Sequence, residues 1–142
     1  SHVIYHFEEI IKPYNPKAIV FFCGTNDLTA LKTPEETVHD FKKFYSLIRN
    51  QFGNIKVYMI GVKPSVERFY LDEEEKIFNN SIKLLASEDA YLEYIDVWDS
   101  MLNEDGSRMP ELYIEDGLHM NKKGYEVWTK QVRKSLSKDF NI

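Results

Sequence analysis

The sequence has 142 residues, of which 43% are hydrophobic and 29% charged, and its net charge is −5. This composition predicts one globular domain over residues 1–142 and excludes a disordered chain. An acidic chain disfavours nucleic acid as a partner, and no apolar run is long enough to cross a membrane. The lone Cys23 excludes a disulfide within the chain.

The first part of the chain predicts a helix, a strand and a polar turn. Apolar residues at helical spacing indicate a helix over about 3–12, which Pro13 ends. The run 17–23 is apolar after Lys17, which is typical of a parallel strand buried on both faces. This strand leads into the stretch 24–27, Gly-Thr-Asn-Asp, which we expect to form a polar turn at its carboxyl end.

The middle of the chain predicts a second helix followed by a second strand. Thr33 and Glu36 have the spacing of a capping box at the start of a helix, and Pro34 suits its first position. Gly53 is the expected end of that helix. Residues 55–62 are mostly apolar and rich in strand formers, which predicts the second strand.

The remaining patterns predict a third helix, a third strand and a last helix. Asp72 and Glu75 are expected to cap the third helix, the run 91–97 forms the third strand, and Asn121 caps the last helix. The apolar stripes of these two helices are predicted to be buried: Ile77, Phe78, Ile82 and Leu85 in one, and Tyr125, Trp128, Val132 and Leu136 in the other.

Strands that alternate with helices predict an α/β fold, with a parallel sheet between two helical layers. In such three-layer α/β/α sheets, ligands bind beyond the carboxyl ends of the strands. The stretch 24–27, the strand exit at 63–64 and the loop 116–119 all follow predicted strands. We therefore expect these three segments to meet at one edge of the sheet and to form the site.

An acid and a histidine stand out in the last of these loops. Asp116 precedes His119 by three residues, in a segment that contains Gly117. This spacing suits a loop in which the Asp116 carboxylate folds back onto the imidazole. A carboxylate on one imidazole nitrogen fixes the tautomer and leaves the other nitrogen to accept a proton. The pair is therefore a candidate for the base half of a hydrolase triad.

Two short motifs, Gly24-Thr-Asn-Asp27 and Asp116-Gly-Leu-His119, resemble the G-x-N-D and D-x-x-H blocks of the SGNH (GDSL-type) hydrolase superfamily. This resemblance implies a flavodoxin-like fold, here with about three strands, and a serine esterase or acylhydrolase that uses a Ser-His-Asp triad on a small-molecule ester.

The resemblance also implies roles for individual residues. Asn26 would donate to the oxyanion through its side-chain amide, His119 would be the general base and Asp116 would orient it. Gly24 and Asp27 would support the turn. No metal and no cofactor are expected. Phe69, Tyr70 and Met109 are further candidates, for an apolar wall of the substrate pocket.

The family's Gly-Asp-Ser nucleophile block has no counterpart in this sequence. Ser1 follows no strand, and the other serines lack the strand-to-turn setting of such a nucleophile. The chain is therefore expected to be the C-terminal part of an SGNH hydrolase domain and to be inactive, or nearly so, on its own. The strand 17–23 would then be an exposed edge, which predicts pairing with a second copy or with a separate N-terminal segment.

Two other functions remain open at this stage. The chain could be a non-catalytic relative that binds a partner or ligand through the same cleft. It could also hold a divalent metal ion for hydrolysis through Asp27, Asp116 and His119, although no second histidine supports such a site. The sequence identifies neither the substrate class, whether lipid, sugar ester or thioester, nor the cellular compartment.

Overall fold

The computed structural model describes residues 2–142, so Ser1 lies outside the described residues. Its sheet has three parallel strands in the order β1-β2-β3, which are Ala18–Phe22, Lys56–Ile60 and Leu92–Ile95. The α-helices are α1 (His2–Tyr5), α2 (Phe7–Ile10), α3 (Thr25–Thr29), α4 (Pro34–Phe52), α5 (Asp72–Glu88) and α6 (Lys122–Leu136). The predicted α/β class with a parallel sheet is confirmed.

Helices cover both faces of the sheet. On one face, Val57 and Met59 of β2 pack with Phe44 of α4 and with Phe78 and Ile82 of α5 in one apolar cluster. On the other face, Tyr58, Ile60 and Ile95 form a second cluster with Trp128 of α6. The sheet is thus the middle of three layers, and its carboxyl end is left open for a site.

Two predicted helix starts are confirmed in detail. The Thr33 hydroxyl accepts the Glu36 N–H, and the Glu36 side chain accepts the Thr33 N–H at 2.9 Å, as a capping box requires. At the start of α6, the Asn121 side chain accepts the N–H groups of Lys123 and Gly124. Both caps are local interactions, which is why the sequence alone predicts them.

The predicted capping of α5 by Asp72 and Glu75 is wrong. The helix starts after Leu71 without any side-chain cap bond. Asp72 instead forms an ion pair with Arg108, which lies far along the chain. Glu75 is fully buried, with 0% of its surface exposed. Tertiary contacts have therefore replaced the local role of both carboxylates.

Other predictions need correction. The expected helix over 3–12 is divided at His6 into α1 and α2, where Phe7 packs against the rings of Phe44 and Phe52. Tyr125 and Ile77, expected to be buried, are 58% and 42% exposed.

The edge of β1 that faces away from β2 has no paired strand among residues 2–142. The expected burial of this strand on both faces is wrong, because Val20 and Phe22, which point to the α6 face, are 44% and 41% exposed. Phe22 packs edge to face against the Trp128 ring, with 4.8 Å between ring centroids. In the described part of the chain, no helix is long and apolar enough to span a bilayer.

Candidate active site

Asp116 and His119 are paired in the loop before α6. Oδ2 of Asp116 lies 2.5 Å from Nδ1 of His119, and Oδ1 accepts the N–H groups of Leu118 and His119 at 2.8 Å each. Gly117 has φ +64°, a backbone conformation that glycine adopts without strain. The bond to the imidazole and these two N–H groups lower the pKa of Asp116 to about 2.

This geometry defines which imidazole nitrogen is free to act. Because Nδ1 faces the carboxylate, it carries the proton of the neutral ring, and Nε2 remains as the basic nitrogen. The His119 side chain is 73% exposed, so Nε2 is accessible from solvent. The predicted folding of the Asp116 carboxylate onto the imidazole is present in the structure.

The loop is held by the segment that leaves β2. We call residues 61–68 the anchoring segment. Its Val66 and Glu67 N–H groups donate to the Gly117 carbonyl at 2.9 and 3.1 Å. The Lys63 ammonium donates to the Leu118 carbonyl at 2.6 Å, between the two residues of the pair. Bonds from the anchoring segment to the loop backbone therefore help to fix the loop position, together with the Asp116 side chain.

Lys63, which donates this bond to the Leu118 carbonyl, is unusual for a lysine because it is only 7% exposed. Its Nζ lies 5.0 Å from the centre of the Tyr113 ring, where a cation is attracted to the aromatic face. Burial lowers the pKa of Lys63 to about 8, and the nearby Glu75 partly opposes this shift. The lysine remains largely charged near neutral pH.

Asn26 lies in the first turn of α3, directly after β1. The sequence analysis predicted a polar turn here, but residues 25–29 form a short helix. Arg68 of the anchoring segment donates from Nη1 to Oδ1 of Asn26 at 3.2 Å. This bond orients the amide so that its Nδ2 donor is directed away from Arg68.

Gly24 allows the sharp change of direction between β1 and α3. Its φ is +131°, and a Cβ at this position would lie 3.1 Å from Phe78 and 3.2 Å from Val62. Both the backbone conformation and the packing therefore require glycine.

His119 and Asn26 line the same cleft, which has a volume of about 300 Å³. Lys63 and Arg68 also line it. The apolar part of its wall comes from Phe22, Met120, Tyr125 and Trp128. The predicted wall of Phe69, Tyr70 and Met109 is wrong: Phe69 and Tyr70 are mainly exposed, and Met109 packs against the second core cluster.

Asp27 belongs to a separate network beside the cleft. Its carboxylate accepts the Lys32 ammonium at 2.9 Å and the Cys23 thiol at 3.6 Å. Lys32 also donates to Asp40. Asp27 therefore braces the start of α3, and within residues 2–142 no group of three His, Cys, Asp or Glu residues is arranged to hold a metal ion.

The nucleophile-type side chains near the site lack activation. Burial and the neighbouring Asp27 raise the pKa of Cys23 to about 11, so this residue is a thiol at neutral pH. The Thr25 hydroxyl is buried without a hydrogen-bond partner. Ser65 is 1% exposed, and its hydroxyl accepts the Arg68 N–H. None of the three forms a hydrogen bond with His119.

Sequence reasoning missed the roles of Lys63, Arg68 and Glu75. A signal for the first existed, because the stretch Gly61-Val-Lys-Pro-Ser65 follows a buried strand and leads into the site. The contacts of Arg68 with Asn26 and the burial of Glu75 depend on residues far apart in sequence, and no local pattern indicates them.

The fold and the paired loop define the class of protein. A family model described as GDSL-like Lipase/Acylhydrolase matches residues 5–127, and the chain belongs to this family.

Comparison with curated proteins and solved structures identifies relatives of this chain. It is 27% identical, over 126 residues, to an N-acylneuraminate cytidylyltransferase of Escherichia coli O18:K1:H7, and this match covers 88% of the chain. The chain spans only 29% of the length of that relative.

Solved structures share the fold. A GDSL-like lipase from Bacteroides thetaiotaomicron superposes with a TM-score of 0.78 at 22% identity, covering 96% of this chain and 70% of that one. A carbohydrate esterase of family 3 from Talaromyces cellulolyticus gives 0.77 at 17% identity, with coverage of 97% and 69%.

Proposed function

We propose that this chain provides the base and the oxyanion donor of a carboxylic ester hydrolase, and that the nucleophile is a serine outside these 142 residues. His119 is the general base, Asp116 orients it and Asn26 donates to the oxyanion. The observation that carries this proposal is the 2.5 Å Asp116–His119 pair at a cleft that also exposes Asn26.

The proposed reaction follows from these groups. Nε2 of His119 takes the serine proton while the serine oxygen attacks the ester carbonyl, and the protonated imidazole then returns the proton to the leaving alcohol. Asp116 stabilises the imidazolium without becoming protonated. The Asn26 amide donates to the oxyanion of the tetrahedral intermediate, and such a donor contributes about 2.7–4 kcal/mol to the transition state. Water then hydrolyses the acyl-enzyme by the same route.

A fluorophosphonate probe tests where the nucleophile lies. The 142-residue chain should hydrolyse p-nitrophenyl acetate no faster than its His119→Ala variant, and no serine in it should be labelled. The natural gene product that contains this chain should be labelled at a serine outside it, and His119→Ala should abolish that labelling. Labelling inside the chain, or His119-dependent turnover by the chain alone, would contradict the proposal.

The same experiment separates the enzyme from a non-catalytic relative. If the natural gene product also carries no reactive serine, the cleft binds without catalysis. The missing nucleophile is the observation that keeps this second function open.

We further propose that the free edge of β1 pairs with the polypeptide that carries the serine. The site is incomplete without a nucleophile, and Val20 and Phe22 leave apolar surface open beside it. Both solved relatives described above are longer than this chain, which covers about 70% of each. An added strand would satisfy the unpaired backbone groups of β1.

Hydrogen exchange measured on β1 tests this pairing. Amides of residues 18–22 should exchange faster in the isolated chain than in the natural gene product. If these amides exchange slowly in the isolated chain and the chain has the mass of a dimer, the edge of β1 pairs with a second copy instead. Equal, fast exchange in both proteins would sink the proposal.

A further inference from the structure

The cleft is positively charged although the chain is acidic. Lys63 and Arg68 line it, and none of the described residues that line it is acidic. The whole chain has a net charge of −5. The local charge at the cleft is therefore opposite to that of the protein as a whole.

Neither cation is neutralised by the contacts it makes. Nζ of Lys63 donates to a backbone carbonyl, and Nη1 of Arg68 donates to an amide oxygen, so both acceptors are uncharged. The two charges are near enough for Arg68 to contribute to lowering the pKa of Lys63. Two like charges held together in this way favour the binding of an anion between them or beside them.

The carboxylates nearest to these cations compensate them only in part. Glu75 is fully buried, and neither of its oxygens has a hydrogen-bond partner. Burial, and secondarily the charge of Asp72, raise its pKa to about 8, which favours its uncharged form, and the charge of Lys63 opposes this shift. Asp72 is paired with Arg108. Asp116 is ionised beside the neutral imidazole and offsets part of the Lys63 charge, but it does not line the cleft.

We infer that the ester taken by this cleft carries an anionic group, a carboxylate or a phosphate, and that Arg68 binds it. A guanidinium has five N–H donors in a planar fork that matches either group, and only one of them is used by Asn26. Lys63 adds a second positive charge behind it. Phe22, Tyr125 and Trp128 would contact the uncharged part of the substrate.

This inference rests on the proposed function, and a simpler role for Arg68 must be separated from it. Arg68 could serve only to orient Asn26, in which case charge on the ligand would not matter. Charged and neutral esters of the same size distinguish these roles, and binding alone can be measured without a nucleophile.

The test is an NMR titration of the chain with monomethyl succinate and with neutral dimethyl succinate. We expect the charged ester to bind about ten-fold more tightly, with shifts at His119, because a charge-assisted bond is stronger than a neutral one. Arg68→Ala should remove this preference, and Arg68→Lys should keep part of it. Arg133→Ala, which changes an exposed arginine of α6, should leave it intact.

A further titration, with an ester that carries a phosphate, identifies the kind of anion that binds. If 2-acetoxyethyl phosphate binds more tightly than monomethyl succinate, the anionic group is a phosphate, and the reverse order assigns a carboxylate. Equal affinity for the charged and neutral succinate esters, or a preference that survives Arg68→Ala, would contradict the inference. In either case, chemical-shift changes at His119 would still support the proposed function. If no ester shifts the His119 signals, the proposed function fails as well.

Discussion

The exposed side chains of the cleft and the buried anchoring segment beneath them differ in how they are held. His119 and Asn26 are open to solvent, and each is fixed by a single side-chain bond, to Asp116 and to Arg68. Residues 61–65 of the anchoring segment are all buried and are bound through their backbone by Asn79, Arg108 and Tyr113. The groups that would do the chemistry therefore contribute little to stability, and the groups that position them contribute much.

The largest effect should come from Asn79→Leu. The Asn79 side chain is 6% exposed and bonds both the N–H and the carbonyl of Val62 at 2.9 Å. Its loss leaves two buried backbone groups unpaired, which should lower the free energy of unfolding by about 2–5 kcal/mol in urea denaturation. Asn80→Leu, on the exposed side of the same helix, is the control and should change it by less than about 0.5 kcal/mol.

Gly24→Ala should have the next largest effect. The substitution forces a Cβ onto φ +131° and to 3.1 Å from Phe78, at a cost of about 1–3 kcal/mol. Gly106→Ala is the control for steric contact. Gly106 also has a positive φ, of +81°, but no atom lies within 4 Å of the new Cβ, so this variant has backbone strain alone. Thermal unfolding of both variants should show the larger drop for Gly24→Ala, and equal drops would remove packing against Phe78 as a cause.

A smaller effect is expected on the pH dependence of stability. The pKa of Glu75 rises from 4.5 to about 8, so between these values the folded protein keeps a proton that the unfolded chain releases. The free energy of unfolding should therefore fall as pH rises through this window, by at most about 1.4 kcal/mol per pH unit. Glu75→Gln should flatten this slope in urea denaturation between pH 5 and pH 8.

Glu73→Gln is the matched control for this effect, because Glu73 is exposed in the same helical turn. It should leave the slope unchanged. If Glu75→Gln also leaves it unchanged, Glu75 is ionised in the folded protein and would neutralise Lys63, which would weaken the case for a positive cleft.

The smallest effect on stability is expected for His119→Ala and Asn26→Ala. Both side chains are exposed, and each makes one side-chain bond at the surface. Either variant should unfold within about 0.5 kcal/mol of the original chain. A loss above about 1 kcal/mol in either would show that the exposed residues also support the fold.

Local interactions account for what the sequence predicted well. The Thr33–Glu36 capping box, the Asn121 cap and the Asp116–His119 pair each join residues at most three positions apart. The strands also follow from short runs that are mostly apolar, with Lys56 in β2 and Glu93 in β3 as exceptions. The first strand, β1, is one residue shorter at each end than predicted.

Contacts between distant residues account for what the sequence could not predict. Asp72 does not cap α5 but forms an ion pair with Arg108, which is 36 residues away. Arg68 reaches Asn26 across 42 residues, and Lys63 reaches the Leu118 carbonyl across 55. Burial of Glu75 contradicts the usual preference of a charged side chain for solvent, and only the folded arrangement reveals it.

The anchoring segment has a mechanical consequence for the cleft. Lys63 and Val66 hold the loop on one side, and Arg68 holds Asn26 on the other. A rigid shift of the anchoring segment would move His119 and Asn26 together. The distance between these two residues would then vary less than the position of either. The cleft between His119 and Asn26 is therefore expected to keep a nearly constant width when the anchoring segment moves.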